Sequence, residues 1–233
     1  MPLLSWISDA DLNNAVTNLI TATQTAKTNA FASLSKNVMD PFSAIFQMSG
    51  FSMTYDEWLK SEEARQSQKT MQNFVGQFHQ NILGSCIGWV NLNTGNNVDL
   101  VNTSSKIIAE VKNKHNTISG GDLSDLYYRL DKLVMPNASA YKGFTAYHVG
   151  IIPKTITPFN IPFTPSDKST STKCSTNQLI RTIDGASFYH IVTGAPNALK
   201  DLFAALPKVM SNFNQQNMAD IAKLQALFKL AYG

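Results

Sequence analysis

The stretch from Val98 to Lys112 constrains this chain more than any other, because its composition suits only two short strands joined by a turn. Val98 to Val101 and Lys106 to Lys112 are short, apolar and rich in β-branched residues, which fit a pleated, half-buried surface. The Asn-Thr-Ser-Ser run at residues 102–105 has the composition of a turn. Together with the apolar run from Cys86 to Leu92, which carries Trp89, the pattern predicts a three-stranded meander. Alternate residues of a strand share a face, so Glu110 and Lys112 project together. If the turn is centred on Thr103 and Ser104, Asp99 lies opposite Ile108 and diagonally beside Glu110, on that same face. A slip of one residue would send Asp99 to the other face.

Helical spacing surrounds this sheet. Residues 9–36 carry Leu12, Val16, Leu19 and Ile20 on one face, with Ser8 or Asp9 as cap. Asp40-Pro41 breaks the chain. A second helix is expected from about Thr54 to Gly84, opened by the capping-box spacing of Thr54 and Glu57 and stopped by Gly84. Residues 121–134 read as a helix, 143–152 as a strand and 186–193 as a strand. Residues 197–208 and 215–231 read as closing helices. Between them, residues 153–180 hold Pro153, Pro158, Pro162 and Pro165 and a Ser/Thr/Lys-rich tract, a long loop with no element of its own. Loops of that length inside a compact domain are usually functional or disordered. The expected fold is α/β (α+β), a central mixed sheet flanked by helices. Its parts are a helical N-terminal part (1–84), a catalytic sheet (85–153), a long basic loop (154–182), and the last strand with the C-terminal helices (183–233), all in one domain.

Composition narrows the class. Charged residues are 15% of the chain, and 21 Asn with 11 Gln fill the gap. This excludes a charge-driven disordered chain and a coiled coil. No run of about 18 apolar residues exists to cross a membrane. Two cysteines far apart in sequence, Cys86 and Cys174, fit neither a disulfide scaffold nor a zinc module. The N-terminus lacks a positive segment followed by an apolar one, so an intracellular protein is expected. Charge is unevenly placed. Residues 1–111 carry 6 Lys/Arg against 9 Asp/Glu, and residues 112–182 carry 9 against 4. A basic middle third is the footprint of a polyanion partner, or simply a solvated face.

Two carboxylates and an ammonium gathered on one strand face have a definite use. Asp99 and Glu110 supply hard oxygen ligands suited to Mg²⁺, and the main-chain carbonyl of Val111 is a further ligand. Such an ion acidifies a water and offsets charge on a phosphorus centre. Lys112 orients that water or stabilises the developing anion. Phosphodiester hydrolysis is the natural reaction class. The plainer alternative is a surface ion pair between Glu110 and Lys112.

The stretch Val98-Asp99-Leu100 through Ile108-Ala109-Glu110-Val111-Lys112-Asn113-Lys114-His115-Asn116-Thr117 resembles the PD-(D/E)XK nuclease superfamily. More narrowly, it resembles type II restriction endonucleases that cut GGNCC or GGWCC sites. The text from Val75 to Gly84, followed by Gly88-Trp89, strengthens the narrower likeness. No proline precedes Asp99, where the superfamily pattern nominally has one. The resemblance implies that Asp99 and Glu110 are metal ligands, Lys112 the catalytic lysine, and Gln80 an occupant of the auxiliary acid position on the preceding helix. Glu62 and Glu63 lie nearly five turns before Gln80 and substitute for it poorly.

Guanine is most often read by Arg or Lys in the major groove. The chain has three arginines, Arg65, Arg129 and Arg181, and Arg181 ranks first because it borders the long basic loop. Lys154, Asn160, Lys168, Lys173, Asn177 and Gln178 are further candidates there, and Lys114, His115, Asn116 and Thr117 leave the catalytic strand near the scissile phosphate. His79, His148 and His190 read as core or surface residues. A palindromic duplex site implies a homodimer, each copy cutting one strand. The resemblance further implies a cytoplasmic, prokaryotic enzyme with a cognate DNA methyltransferase that is not bound to it. The alternative is a non-catalytic or structure-selective DNA-binding protein on the same core.

Overall fold

The computed structural model describes residues 1–29, 39–93, 95, 97–211, 213 and 221–233. They fall into two compact units, Met1–Asn14 with His79–Gly233, and Ala15–Phe78. The smaller unit is helical among its described residues, with most of α1 (Asp9–Thr28), all of α2 (Pro41–Gly50) and the first part of α3 (Tyr55–Gly84). The capping box forms as expected. Thr54 N–H donates to Glu57 Oε2 at 2.8 Å, and Glu57 N–H donates to Thr54 Oγ1 at 3.3 Å. The helix expected over 9–36 is observed to Thr28, and residues 30–38 lie outside the described residues. Asp40-Pro41 does more than interrupt the chain. The Asp40 carboxylate accepts from Phe42 N–H at 3.0 Å and starts α2, with Pro41 in the first turn, where its missing N–H costs nothing.

The larger unit is built on a six-stranded mixed sheet. Its strands are β1 (Val90–Asn91), β2 (Leu100–Asn102), β3 (Ile107–Lys114), β4 (Thr145–Ile152), β5 (Asn160–Pro162) and β8 (Ile180–Asp184). The order is β1-β2-β3-β4-β8-β5, and a separate two-stranded hairpin pairs β6 (Ser166–Asp167) with β7 (Thr172–Lys173). β1, β2 and β3 form the expected antiparallel meander, while β3, β4 and β8 run parallel. Parallel neighbours need a crossover, and α4 (Gly120–Val134) supplies it between β3 and β4. Leu126, Leu130 and Val134 of α4 bury against Ile108, Ala146 and Ile180 on one sheet face. Tyr147 on the other face meets Phe188 of α5 (Gly185–Thr193) at 5.7 Å between ring centroids. The mixed sheet flanked by helices is the fold class read from the sequence.

Three readings are corrected. Residues 186–193 are not a strand but α5, and the last strand is Ile180–Asp184. The Asp184 carboxylate accepts from Ser187 N–H at 2.9 Å and caps the helix, and Gly194 ends it in the left-handed region at φ 73°. Phe188, Tyr189 and Val192 are buried while His190 and Ile191 are exposed, a helical period that a short apolar run conceals. Second, segment 153–180 has elements of its own. β5 extends the sheet, and the β6–β7 hairpin is tied to α4 by Tyr128 Oη donating to Asp167 Oδ2 at 2.8 Å. Nearby, Tyr127 Oη donates to the Ser175 carbonyl at 2.7 Å. Third, Val101 pairs with Ile108 and Leu100 with Ala109, a register two positions from the one that would set Asp99 opposite Ile108. The turn runs through Thr103 to Lys106, braced by Asn102 Oδ1 accepting from Ser105 N–H at 2.9 Å, with Lys106 at φ 53°. A shift of two positions preserves the alternation of β2, and Asp99, just before the paired residues, stays near enough to Glu110 to feel its charge.

The β8–α5 junction is tightly packed. A Cβ added to Gly185 would lie 2.3 Å from the Ile151 carbonyl oxygen and 2.6 Å from Ile151 Cα. Gly185→Ala is therefore expected to lower the unfolding free energy by about 1–3 kcal/mol, the usual cost of overpacking. Denaturant melts check this, and an unchanged midpoint would show that the backbone yields there freely.

Candidate active site

β2 and β3 bring Asp99, Glu110 and Lys112 together. Asp99 N–H donates to the Ala109 carbonyl at 3.0 Å, continuing the ladder one residue before β2. The Asp99 carboxylate then accepts from Val111 N–H through Oδ2 at 2.7 Å. The amide and carbonyl of a strand residue point to the same side, so the Val111 carbonyl also faces the Asp99 side. Gln80 Nε2, near the end of α3, approaches that carbonyl at 3.5 Å. Gln80 therefore touches the edge of the cluster.

Glu110 sits within a buried run on β3 and is 6% exposed. A buried carboxylate needs cationic or hydrogen-bonding partners. Two cations meet its Oε1, Lys112 Nζ at 2.7 Å and Arg129 Nη2 at 3.0 Å. Arg129 belongs to α4, where its neighbours Leu126 and Leu130 are anchored in the core. Arg129 carries no spacing signal toward β3. Its one sequence signal is that one of the chain's three arginines falls on the crossover helix that follows β3. His148 on β4 pairs in register with Glu110, and its ring lies 4.9 Å from that of Phe163. Burial pushes His148 down to about 4, so it stays neutral at pH 7. His79 is likewise pushed to about 4 by burial, and its Nδ1 lies 2.8 Å from Tyr189 Oη. His190 is exposed on α5. The histidines thus fall in core and surface positions, as expected.

The remaining candidates divide by location. Lys114 ends β3 on the Glu110 face and is exposed. After it, His115, Asn116 and Thr117 form an exposed turn, closed by Thr117 Oγ1 donating to the Lys114 carbonyl at 2.8 Å. Lys154 is exposed just past β4, at the same end of the parallel strands. Lys168 and Lys173 are exposed on the β6–β7 hairpin. Asn177 donates to Asp131 Oδ1 at 3.4 Å and accepts from Leu179 N–H at 2.9 Å. Arg181 pairs in register with Tyr147, one strand over from Ala109, which puts it on the sheet face opposite Glu110. Its guanidinium is held by Asn160 Oδ1 at 2.6 Å and Gln178 Oε1 at 3.3 Å. Glu62 lies in the helical unit and is clamped by Arg65 through Nε at 2.6 Å.

A mixed sheet covered on both faces, with an acid pair and a lysine at the ends of its meander strands, has restriction-endonuclease-like architecture. The chain belongs to the Eco47II restriction endonuclease family, whose profile matches residues 4–214. It is 49% identical to the type II restriction enzyme Eco47II of Escherichia coli over 240 aligned residues, covering 100% of both chains. It is 30% identical to the type II restriction enzyme Sau96I of Staphylococcus aureus, over 98% of this chain and 88% of that one. No solved structure matches the chain. Site-specific cleavage of double-stranded DNA is therefore its activity. Enzymes of this type generally need a divalent metal ion. Among the described residues, no helix is long and apolar enough to cross a membrane.

The donor set fits a hard divalent cation. It comprises two carboxylates on paired strands and a main-chain carbonyl beside them. Among the described residues, no group of three or more His, Cys, Asp or Glu side chains offers an alternative. The Asp99 carboxyl is raised above its ordinary range, first by burial and then by the negative charge of Glu110. Its ionised form is thus disfavoured in the folded state. That penalty is absent below the ordinary carboxyl value and complete once pH exceeds the raised value. In the presence of a chelator, Asp99→Asn is expected to be more stable than the wild type at neutral pH, with the difference closing as pH falls through the carboxylate range. Chemical denaturation across pH measures this, and a difference that widens on acidification would contradict the assignment of strain to Asp99.

Proposed function

We propose that the chain is a Mg²⁺-dependent PD-(D/E)XK endonuclease that hydrolyses both strands of a short palindrome of the GGNCC or GGWCC kind. The observation that carries this reading is the buried Glu110 carboxylate, 2.7 Å from the Lys112 ammonium, on the strand whose Val111 N–H donates to the Asp99 carboxylate at 2.7 Å. Asp99, Glu110 and the Val111 carbonyl would hold the ion, which when bound acidifies a water and offsets phosphate charge.

The chain's own groups do the rest. Glu110 holds the Lys112 side chain in place at 2.7 Å, so its ammonium meets an incoming non-bridging oxygen or the attacking water with little reorganisation. Water gives a proton to solvent as it attacks phosphorus, the P–O bond to the leaving oxygen breaks, and that oxygen takes up a proton from solvent. Gln80, with its amide beside Val111, orients that carbonyl rather than adding charge. His148, neutral and buried beside Glu110, contributes packing.

In this reading residues 1–233 act as one nuclease domain, with segment 154–182 laid against DNA. Lys114, His115, Asn116, Thr117 and Lys154 lie at the strand ends nearest the cluster and contact the cut strand. Lys168 and Lys173 reach the duplex from the hairpin. Asn160, Asn177 and Arg181 must exchange their present hydrogen bonds for base edges. A homodimer matches the two-fold site, and a separate cytoplasmic methyltransferase protects the host's own copies.

Digestion of a plasmid of known sequence tests the reading. Purified protein with Mg²⁺ is expected to give discrete fragments mapping to one short palindrome, and chelator abolishes them. Asp99→Ala and Lys112→Ala should each slow cutting by more than about 100-fold, as removal of one transition-state donor does, while the folded state persists. Wild-type rates in both variants would move the active site elsewhere.

A further inference from the structure

The chain's three arginines are placed very differently. Arg65 clamps Glu62 through two nitrogens, at 2.6 and 2.5 Å. Arg181 uses Nε, Nη1 and Nη2 on Asn160 and Gln178, on the far side of the sheet from Glu110. Arg129 reaches the acidic cluster, 3.0 Å from Glu110 Oε1.

Its backbone is rigidly positioned. Leu126 and Leu130 are buried in the core on either side of it, and Tyr128 is bonded to Asp167. Glu110 Oε1 already has Lys112 Nζ at 2.7 Å, so one negative charge meets two cations. Across the cluster, Asp99 and Glu110 balance Lys112 and Arg129, so no charge is left over for the resting protein to neutralise. Among the described residues Glu110 is the one ion-pair partner of Arg129, the Asp99 charge acts on it from further off, and its side chain is 43% exposed. A guanidinium carries five donors in a planar fork, and the contact with Glu110 is made through Nη2, which leaves donors for a further ligand.

We propose that Arg129 is a phosphate-binding residue of the cleavage site, its guanidinium donating to the non-bridging oxygens of the DNA phosphate that approaches Glu110 and Lys112. A phosphodiester presents two such oxygens at the spacing of the fork, and Arg meets them in a bidentate way that Lys does not. In the absence of DNA the same group rests on Glu110. When the phosphate arrives, Arg129 exchanges a carboxylate shared with Lys112 for an anion of its own, and Lys112 keeps Glu110 paired. No bond is made or broken by Arg129. This inference rests on the Asp99/Glu110/Lys112 assignment.

The test compares Arg129→Gln and Arg129→Lys with wild type and with Lys112→Ala. Binding to a duplex containing the mapped site is measured by fluorescence anisotropy in EDTA, from low salt upward. If the contact exists, Arg129→Gln loses about 0.9 from the log-log salt slope for each phosphate released, and Arg129→Lys keeps the slope. A methylphosphonate at the cut position should weaken wild-type binding and leave Arg129→Gln binding where it already is. With Mg²⁺, single-turnover cutting should fall at least about 100-fold in Arg129→Gln, with partial recovery in Arg129→Lys. Thermal melts of both variants should stay near wild type, because Lys112 still pairs Glu110. The proposal is overturned if Arg129→Gln keeps the wild-type salt slope, or if its binding loss and the methylphosphonate loss simply add. Cutting by Lys112→Ala at the wild-type rate would sink the site assignment itself, whereas inactive Lys112→Ala beside fully active Arg129→Gln would sink the Arg129 proposal alone.

Discussion

Two hydrogen bonds at the mouth of the meander hold the site in register. Asp99 N–H donates to the Ala109 carbonyl, and Val111 N–H donates back to the Asp99 carboxylate. The first ties the residue before β2 to the partner of Leu100, and the second turns a side chain into a partner for the β3 backbone. Together they hold Asp99 against the Ala109–Val111 stretch that carries Glu110. Because side chains alternate along a strand, any odd slip of this pairing would separate the two acids onto opposite faces. The turn through Thr103 to Lys106 sets the register, with Asn102 bracing it and Lys106 accepting a left-handed backbone. The geometry of the proposed site is thus set by a turn that carries none of its residues.

The electrostatics of the site depend on the crossover helix as much as on the sheet. A buried carboxylate opposite a second acid is an unstable arrangement in a medium of low polarity. Lys112 comes from the same strand as Glu110, but Arg129 comes from α4, whose position is set by Leu126, Leu130 and Val134 against Ile108, Ala146 and Ile180. The apolar core below the site therefore determines where one of its two cations stands. The β6–β7 hairpin is tied to the same helix through Tyr128 and Asp167. A segment rich in Ser, Thr and Lys, poor in apolar anchors of its own, gains its order from α4.

Much of this was legible in the sequence where the signal is local. The i, i+2 spacing of Glu110 and Lys112 fixes a shared face, and Asp99 is separated from them by one turn. The capping box of Thr54 and Glu57 announces α3, and the apolar stripe of α4 announces the crossover. The failures have physical causes. Phe188 to Val192 is apolar on nearly every residue, so its period shows only when the buried and exposed sides are known. Asp184 decides for helix by capping it, a choice that needs the preceding strand to be placed first. Arg129 was not legible as a site residue because its contact joins two elements across the sheet face. Arg181, favoured for its place beside the long basic loop, lies on the opposite sheet face and is held by Asn160 and Gln178.

The most direct measurement is a crystal structure of the protein with an uncleaved cognate duplex and a divalent cation visible by anomalous scattering. The account predicts one phosphate of each strand at the end of β3, with cation density between the Asp99 and Glu110 carboxylates and the Lys112 ammonium on the same phosphate. DNA seated on another face of the sheet, or cation density away from both carboxylates, would contradict it.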